Sequence, residues 1–402
     1  MNRLLAWYGD DFTGSTDVLE ALSLQGIEAV LFLKQPTNLT PFETYQAFGL
    51  AGCSRSQNPA WMEENLPPVF EWLASLNTPI AHYKVCSTFD SSPEIGNIGR
   101  ALELGQKAFQ ANWVPIVVGA PPLRRYTAFG HLFAGVGTEV YRIDRHPTMS
   151  RHPVTPMRES DLRLHLSHQT QTPVSLINHL QLHSPPEPQT PFTLIDILDD
   201  ASLAPVGKIL SEKARFVVGS SGVQYALAAH WNRQKPQQTP PPPTNQLLVL
   251  SGSCSPGTAQ QILHAQANGF TTVPLLEPNA EATAQAALAE GQSVILYSAL
   301  GPDTHRPDIN RLSLANNSGQ LLAKLLDANP QIRRVVVAGG DTSSAAGALL
   351  DIDALTFLNP VAPGAPLCRA WSKNPRRHNL EIIFKGGQCG AEMFFSQVKG
   401  NQ

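Results

Sequence analysis

The chain is poor in the features that mark whole classes of protein. Its five cysteines, Cys53, Cys86, Cys254, Cys368 and Cys389, lie far apart in 402 residues and form no C-x-x-C pair. That spacing excludes a disulfide framework or a cysteine-based zinc site and fits reduced thiols. No run of basic residues occurs, and 29 Lys+Arg against 32 Asp+Glu leave a net charge of −3. A nucleic-acid-binding face is therefore not expected, although a local basic pocket for a small acid remains open. No apolar stretch approaches membrane-spanning length, and Met1-Asn2-Arg3 leads into a strand-like run without the apolar core of a secretory signal. The expectation is a cytoplasmic protein that engages neither membrane nor nucleic acid. The twelve histidines are scattered, and although His165 and His168 share a helix face, no further ligand accompanies them, so no fixed metal site is expected. Neither G-x-x-x-x-G-K-[ST] nor G-x-G-x-x-G is present, which removes the P-loop and Rossmann dinucleotide readings.

What is present is proline and a recurrent strand–loop–helix plan. The run Gln234-Lys235-Pro236-Gln237-Gln238-Thr239-Pro240-Pro241-Pro242-Pro243-Thr244 is extended and semi-rigid, and reads as a linker over 234–245. It separates an N-terminal domain, 1–233, from a C-terminal one, 246–402; the length alone calls for two or three domains. Apolar runs predict strands at Leu4–Tyr8, Ala29–Leu33, Ala47–Leu50, Ile116–Val118 and Phe216–Val218 in the first part. The second has Leu247–Leu250, Ser293–Tyr297, Arg334–Ala338 and Glu381–Phe384. Helical periods between them imply an α/β protein in which each domain is a mostly parallel sheet flanked by helices.

The first turn carries the sharpest local signal. Leu4 to Gly9 ends in two adjacent carboxylates, Asp10 and Asp11, followed by Phe12-Thr13-Gly14-Ser15 and a helix whose apolar face is Val18, Leu19, Ala21 and Leu22, with Gly26 ending it. The end of a first strand is where open α/β sheets place their chemistry, and a helix N-terminus beside it binds anions. The plain alternative is one Asp as an N-cap and the other as a solvated loop residue. Candidate anion-binding cations follow: Arg55 in Ser54-Arg55-Ser56, and Lys84 opening the polar loop Lys84-Val85-Cys86-Ser87-Thr88-Phe89-Asp90. Asn97 and Gly99 lead into a helix read from Arg100. The proline-punctuated His146–Met157 is irregular, with Ser160 capping the helix Leu162–Leu166.

Four loops join an apolar strand to small residues: Gly219-Ser220-Ser221-Gly222, Ser251-Gly252-Ser253-Cys254-Ser255, Gly339-Gly340-Asp341-Thr342 and Lys385-Gly386-Gly387-Gln388-Cys389-Gly390. Any one of them is explained by a tight α/β turn. Three in one domain point to a polyphosphate ligand, because small residues let phosphate oxygens reach backbone N–H groups.

Taken in order, Asp10-Asp11-Phe12-Thr13-Gly14, Ser54-Arg55-Ser56, Lys84 to Asp90 with Gly96-Asn97-Ile98-Gly99, His152-Pro153-Val154-Thr155-Pro156-Met157, Leu250 to Ser255, Ala338 to Ser343 and Lys385-Gly386-Gly387 resemble the four-carbon acid sugar kinases over nearly the whole chain. The resemblance implies an N-terminal sugar-acid domain, a C-terminal nucleotide domain and an active site in the cleft between them. It implies ATP-dependent phosphorylation, with Mg²⁺, of threonate, erythronate or 3-oxo-tetronate, at the 4-hydroxyl in the first instance. The proton acceptor would be Asp10 or Asp11. Acid-binding residues would be Thr13, Gly14, Arg55, Lys84, Ser87, Asn97 and His152. Nucleotide-binding residues would be Ser253, Ser255, Gly339, Gly340, Asp341, Thr342, Lys385 and Gly387. Alternatives are a kinase for a branched acid such as 3-oxo-isoapionate, or a non-catalytic sensor of sugar acid or nucleotide. The partners are small molecules, a homo-oligomer is compatible with the sequence, and two departures stand out: Gly9 where the family more often has Ala, and no aromatic before Gly390.

Overall fold

The computed structural model describes residues 3–233, 235–304 and 310–400. The chain divides into two compact units, one of Met1–Ala29 with Thr40–Pro236, the other of Val30–Leu39 with Gln237–Gln402.

The first unit is built on a parallel sheet in the order β3-β1-β4-β11-β5-β10-β9. These strands are β1 (Leu5–Gly9), β3 (Ala47–Ala51), β4 (Ile80–Lys84), β5 (Val114–Val117), β9 (Val174–Ile177), β10 (Phe192–Ile195) and β11 (Phe216–Gly219); β2 (Ala29–Phe32) lies between β1 and β3 in sequence. β1, β3, β4, β5, β10 and β11 are buried along their whole length; β1, β3, β5 and β11 read as apolar runs, whereas β4 carries His82 and Lys84 and β10 carries Thr193. Helices α1 (Phe12–Ser23), α2 (Pro59–Ser75), α3 (Ile98–Ala108), α4 (Leu162–Ser167), α5 (Leu203–Lys213) and α6 (Gly222–Trp231) belong to this unit. Val18, Leu19 and Leu22 of α1 and Leu66, Phe70 and Leu73 of α2 are fully buried, as amphipathic periodicity requires. Beyond the sheet, β6 (Arg125–Ala128), β7 (His131–Val136) and β8 (Glu139–Arg142) form a separate antiparallel three-stranded sheet.

The second unit has five parallel strands in the order β13-β14-β12-β15-β18, namely β12 (Leu248–Ser251), β13 (Thr271–Pro274), β14 (Val294–Tyr297), β15 (Arg334–Ala338) and β18 (Glu381–Lys385). The antiparallel pair β16 (Ala354–Ala362) and β17 (Ala365–Trp371) extends the sheet from β18, and β2 pairs antiparallel with β16, Val30 opposite Thr356. Helices α7 (Pro256–Ala267), α8 (Ala280–Ala289), α9 (Arg311–Ala328), α10 (Gly340–Leu349) and α11 (Phe394–Lys399) complete it. Its core includes Leu247, Val249, Ile262, Phe270, Ile295, Val336, Leu367, Ile383, Phe394 and Phe395.

Three sequence expectations change. Val30–Leu39 falls inside the span 1–233 but packs with the C-terminal unit, because β2 finds its antiparallel partner in β16. The proline run is extended yet not free: the buried Arg334 guanidinium donates to Pro242 O at 2.9 Å, and Thr244 N donates to Lys399 O at 2.8 Å. Position 234, in the segment read as linker, lies outside the described residues. The α4 cap is Asp161, whose side chain accepts from Arg163 N; Ser160 instead pairs its hydroxyl with His131 Nδ1 at 2.9 Å.

Candidate functional site

Strands β3, β1 and β4 lie side by side and parallel, so the residues after their C-terminal ends meet. Backbone bonds fix them: Asp10 N donates to Lys84 O at 2.9 Å, and Arg55 N donates to Asp10 O at 3.1 Å. The side chains then interlock. Arg55 grips Asp10 with two parallel bonds, Nε to Oδ2 at 3.0 Å and Nη2 to Oδ1 at 2.7 Å, and reaches Asp11 Oδ2 with Nη1 at 2.6 Å. Asp11 is the N-cap of α1, its Oδ1 accepting from Gly14 N at 2.6 Å and its Oδ2 from the Thr13 hydroxyl at 2.9 Å. Asp11 is therefore hydrogen-bonded at both oxygens.

Removal from water pushes the Asp10 carboxyl up to about 6, against the pull of Arg55 and with the added push of Asp11. Arg55 is held well above its ordinary value: burial opposes its charge, but Asp10 and Asp11 outweigh burial. Of the five guanidinium N–H groups three are spent in these bonds, and the side chain keeps 25% exposure.

Lys84 is almost wholly buried. Its ammonium donates to Val85 O at 2.9 Å and lies 3.5 Å from Asp17 Oδ2 on α1, while Asp17 Oδ1 has no hydrogen-bond partner. A Cβ at Gly14 would come within 3.0 Å of Lys84 Nζ and 2.6 Å of Asp11 Oδ1, so the absent side chain lets the helix start meet both charges. Gly9 is likewise required, since a Cβ there would overlap the Ser15 hydroxyl, which accounts for this departure from the family pattern.

The loop after β4 supplies a further carboxylate. Asp90 accepts from Thr88 Oγ1 at 2.5 Å and from Thr155 Oγ1 at 3.0 Å. Burial alone would raise its pKa; the Arg55 charge and these two hydroxyls overcome burial and hold it below its usual value. His152 Nδ1 accepts from Thr155 N at 3.0 Å, which leaves Nε2 as the nitrogen that carries a proton. Ser87 is half-buried in the same loop. Asn97, expected to hold substrate, is the N-cap of α3, which begins at Ile98: its Oδ1 accepts from Arg100 N at 2.6 Å and its Nδ2 donates to Pro93 O. His165 is bonded to Ser91 and Gln169, and burial drives its pKa down to about 4. Among the described residues no cluster of three or more His, Cys, Asp or Glu is placed to hold a metal ion.

In the second unit the loops after β12, β15 and β18 converge on Ser253. A Cβ at Gly339, where φ is +110°, would lie 3.2 Å from Ser253 N, and one at Gly387 would overlap Ser253 Oγ. Ser255 N donates to Ser253 Oγ at 3.2 Å, Thr342 Oγ1 closes against Gly252, and Gly340 begins α10 with open space where a side chain would be. The side chain of Asp341 lies outside the described residues. Lys385 does not join the loop surface. It ends a buried strand and sits fully buried beneath the loop, its ammonium donating to Thr258 Oγ1 at 3.2 Å and lying 5.5 Å from the Phe394 ring centre. Burial lowers its pKa to about 8. Cys389, in the place where an aromatic is usual, packs against the core around Phe394.

Sequence reasoning singled out neither Asp17 nor the Asp90–Thr155 pair as site residues, although the last two lie inside quoted motifs. The only signal for Asp17 is its position on the helix face opened by Gly14.

The two halves match different domain models. Residues 5–227 match the sugar-binding N-terminal domain and residues 248–395 the nucleotide-binding C-terminal domain. With the named kinases among its relatives, that pairing makes the chain a sugar-acid kinase of two α/β domains. The chain belongs to the four-carbon acid sugar kinase family. It is similar to the 3-oxo-isoapionate kinase of Paraburkholderia graminis, with 46% identity over 98% of this chain and 94% of that protein. It is 27% identical to the 3-oxo-tetronate kinase of Cupriavidus necator over 98% of this chain and 96% of the relative. A crystal structure of a Haemophilus influenzae protein shares the fold at 21% identity, covering 98% of this chain and 99% of its own, with a TM-score of 0.75. Among the described residues no helix is long and apolar enough to cross a membrane.

Proposed function

We propose that this kinase transfers the terminal phosphoryl group of ATP to a hydroxyl of a branched 3-oxo sugar acid, 3-oxo-isoapionate first among them. The observation that carries the choice is the step in similarity, 46% identity to the 3-oxo-isoapionate kinase against 27% to the 3-oxo-tetronate kinases. The unbranched four-carbon acids, 3-oxo-tetronate above all, are the second reading, favoured by those same relatives.

Asp10 is the proton acceptor in this scheme. A carboxylate with a pKa near 6 is a better base than an ordinary one and is still ionised at neutral pH. Asp11, capped into α1, orients Arg55 and the helix start. The two guanidinium N–H groups that Arg55 has left and the remaining donor of Lys84 receive the acid's carboxylate. His152, through Nε2–H, and Ser87 supply neutral hydrogen bonds to hydroxyls. Loops bearing Ser253, Gly339, Gly340, Thr342 and Gly387 hold the phosphates, since phosphoryl transfer needs mainly positioning and charge neutralisation. Magnesium fits as an ion carried by the phosphates, because it is commonly held by one or two carboxylates and substrate phosphates rather than by a protein cage; bound there, it offsets phosphate charge.

The test is ADP release from ATP and magnesium against 3-oxo-isoapionate, 3-oxo-tetronate, erythronate and threonate. Turnover with the branched acid at a kcat/KM well above the others is expected. A preference for 3-oxo-tetronate would overturn the branched reading and leave the kinase.

A further inference from the structure

Helix α7 faces the turn that follows β18 with two buried polar side chains one turn apart, Thr258 and Gln261. Lys385 Nζ lies 3.2 Å from Thr258 Oγ1, and Thr258 Oγ1 lies 2.6 Å from Gly387 O. The direction of the chain of protons is forced: an ammonium only donates and a carbonyl only accepts, so Thr258 accepts from Lys385 and donates to Gly387. The two N–H groups of Gln261 Nε2 are shared among three successive carbonyls, Cys389 O and Gly390 O at 2.9 Å and Ala391 O at 3.1 Å. Four carbonyls of the turn are thus drawn towards α7. In a trans peptide the C=O and N–H point in opposite directions, so the N–H groups of Gln388, Gly390 and Ala391 are turned away from α7. A row of outward N–H groups is the arrangement that receives anions.

We propose that Thr258 is a positioning residue of the nucleotide site, holding the β18 turn, with Gln261, in the conformation that offers its N–H groups to the phosphates. This rests on the reading of the second unit as the nucleotide half of the kinase. The resemblance placed Gly387 and Lys385 at the nucleotide; the geometry adds what fixes Gly387 and gives Lys385 a task under the turn rather than on it.

The test compares Thr258→Val, which keeps the shape and loses the hydroxyl, with Thr258→Ser, which keeps the hydroxyl. ADP affinity is measured by calorimetry on the full chain, with KM for ATP and for the acid from steady-state rates. Loss of one such hydrogen bond corresponds to about tenfold. The valine variant is expected to bind ADP about that much more weakly and to raise KM for ATP equally, with KM for the acid unchanged, and serine is expected to restore both. Equal ADP affinity in native and valine proteins overturns the proposal, as does equal weakening by valine and serine. Should the valine variant not fold, Gln261→Met carries the same test, since it removes the bonds to the three carbonyls at similar length; native affinity there overturns the proposal. Failure of the native protein to bind ADP or ATP at millimolar concentration is a different result, which overturns the nucleotide reading itself and this proposal with it.

Discussion

Asp10 and Asp11 are neighbours with different hydrogen-bond partners. Asp11 is engaged by Gly14 N, Thr13 and Arg55, whereas Asp10 is bonded at both oxygens by Arg55 and burial raises its pKa to about 6. Two predictions follow at this scale. The rate kcat/KM is expected to fall on the acid side with an apparent pKa near 6, tenfold per pH unit below it, and Asp10→Asn is expected to lower kcat by about 10²–10⁴-fold and abolish that limb. A full acid limb in the Asn variant would remove Asp10 from the role of base. Stability carries the opposite sign from an ordinary paired carboxylate. Between the unfolded value near 4 and the folded value near 6 the native state holds a proton that the unfolded state has lost, so Asp10 contributes a loss of stability as pH rises through that window. Asp11→Ala, in contrast, is expected to destabilise by about 1 kcal/mol through loss of the cap, read as a fall in the denaturation midpoint. The sequence showed both carboxylates and left open which was the cap; only the local hydrogen bonds separate them. Asn97 poses the same ambiguity, since a cap and a ligand are the same residue type at the same kind of loop, and its hydrogen bonds show the cap.

Most of the legible strands are buried on both faces, although β10, equally buried, is short and carries Thr193 and is not among the apolar runs. The nine strands expected from apolar runs are all present, within one or two residues of their limits. The three-stranded sheet β6–β8 was not foreseen, because Val136 and Val140 are exposed and its residues carry no continuous apolar run. β16 and β17 were missed too; each contains a proline, Pro360 and Pro366, which argues against a strand in sequence. β18 was foreseen, but not that its last residue points into the core. A buried ammonium with no carboxylate among its described partners costs stability. The unfolded state binds the Lys385 proton more strongly between pH 8 and the ordinary lysine value, so stability rises with pH across that window. Lys385→Met is therefore expected to be more stable than the native chain at pH 7, by up to about 3 kcal/mol, with the gap closing as pH climbs towards 10. Unfolding by denaturant at pH 7 and at pH 9.5–10, on the order of the lysine range, measures it. A loss of stability at pH 7 would mean that the contacts to Thr258 and Phe394 outweigh the desolvation of the charge.

At the scale of the molecule, what the sequence concealed is pairing across long separations. The proline run marks a real change of unit, but β2 crosses it: Val30, Leu31 and Phe32 pair with Thr356, Leu355 and Ala354, and Lys34 lies 2.9 Å from Asp353. Periodicity along a chain identifies a strand and says nothing of a partner more than three hundred residues away. The consequence is testable by dissection. A fragment starting at Gln237 lacks β2, leaving unpaired those backbone groups of Ala354–Thr356 that face it while β17 still pairs the other side, and an open strand edge is a template for aggregation. The same fragment with residues 30–39 joined by a flexible linker regains that strand. The joined form is expected to be monomeric and to unfold cooperatively, while the shorter form aggregates or melts several degrees lower. Size-exclusion chromatography and thermal unfolding of the two side by side decide it: equal behaviour would show that β2 is not needed to complete the C-terminal unit. The chain therefore passes from one unit to the other at Ala29–Val30 and back at Leu39–Thr40, as well as at the proline run.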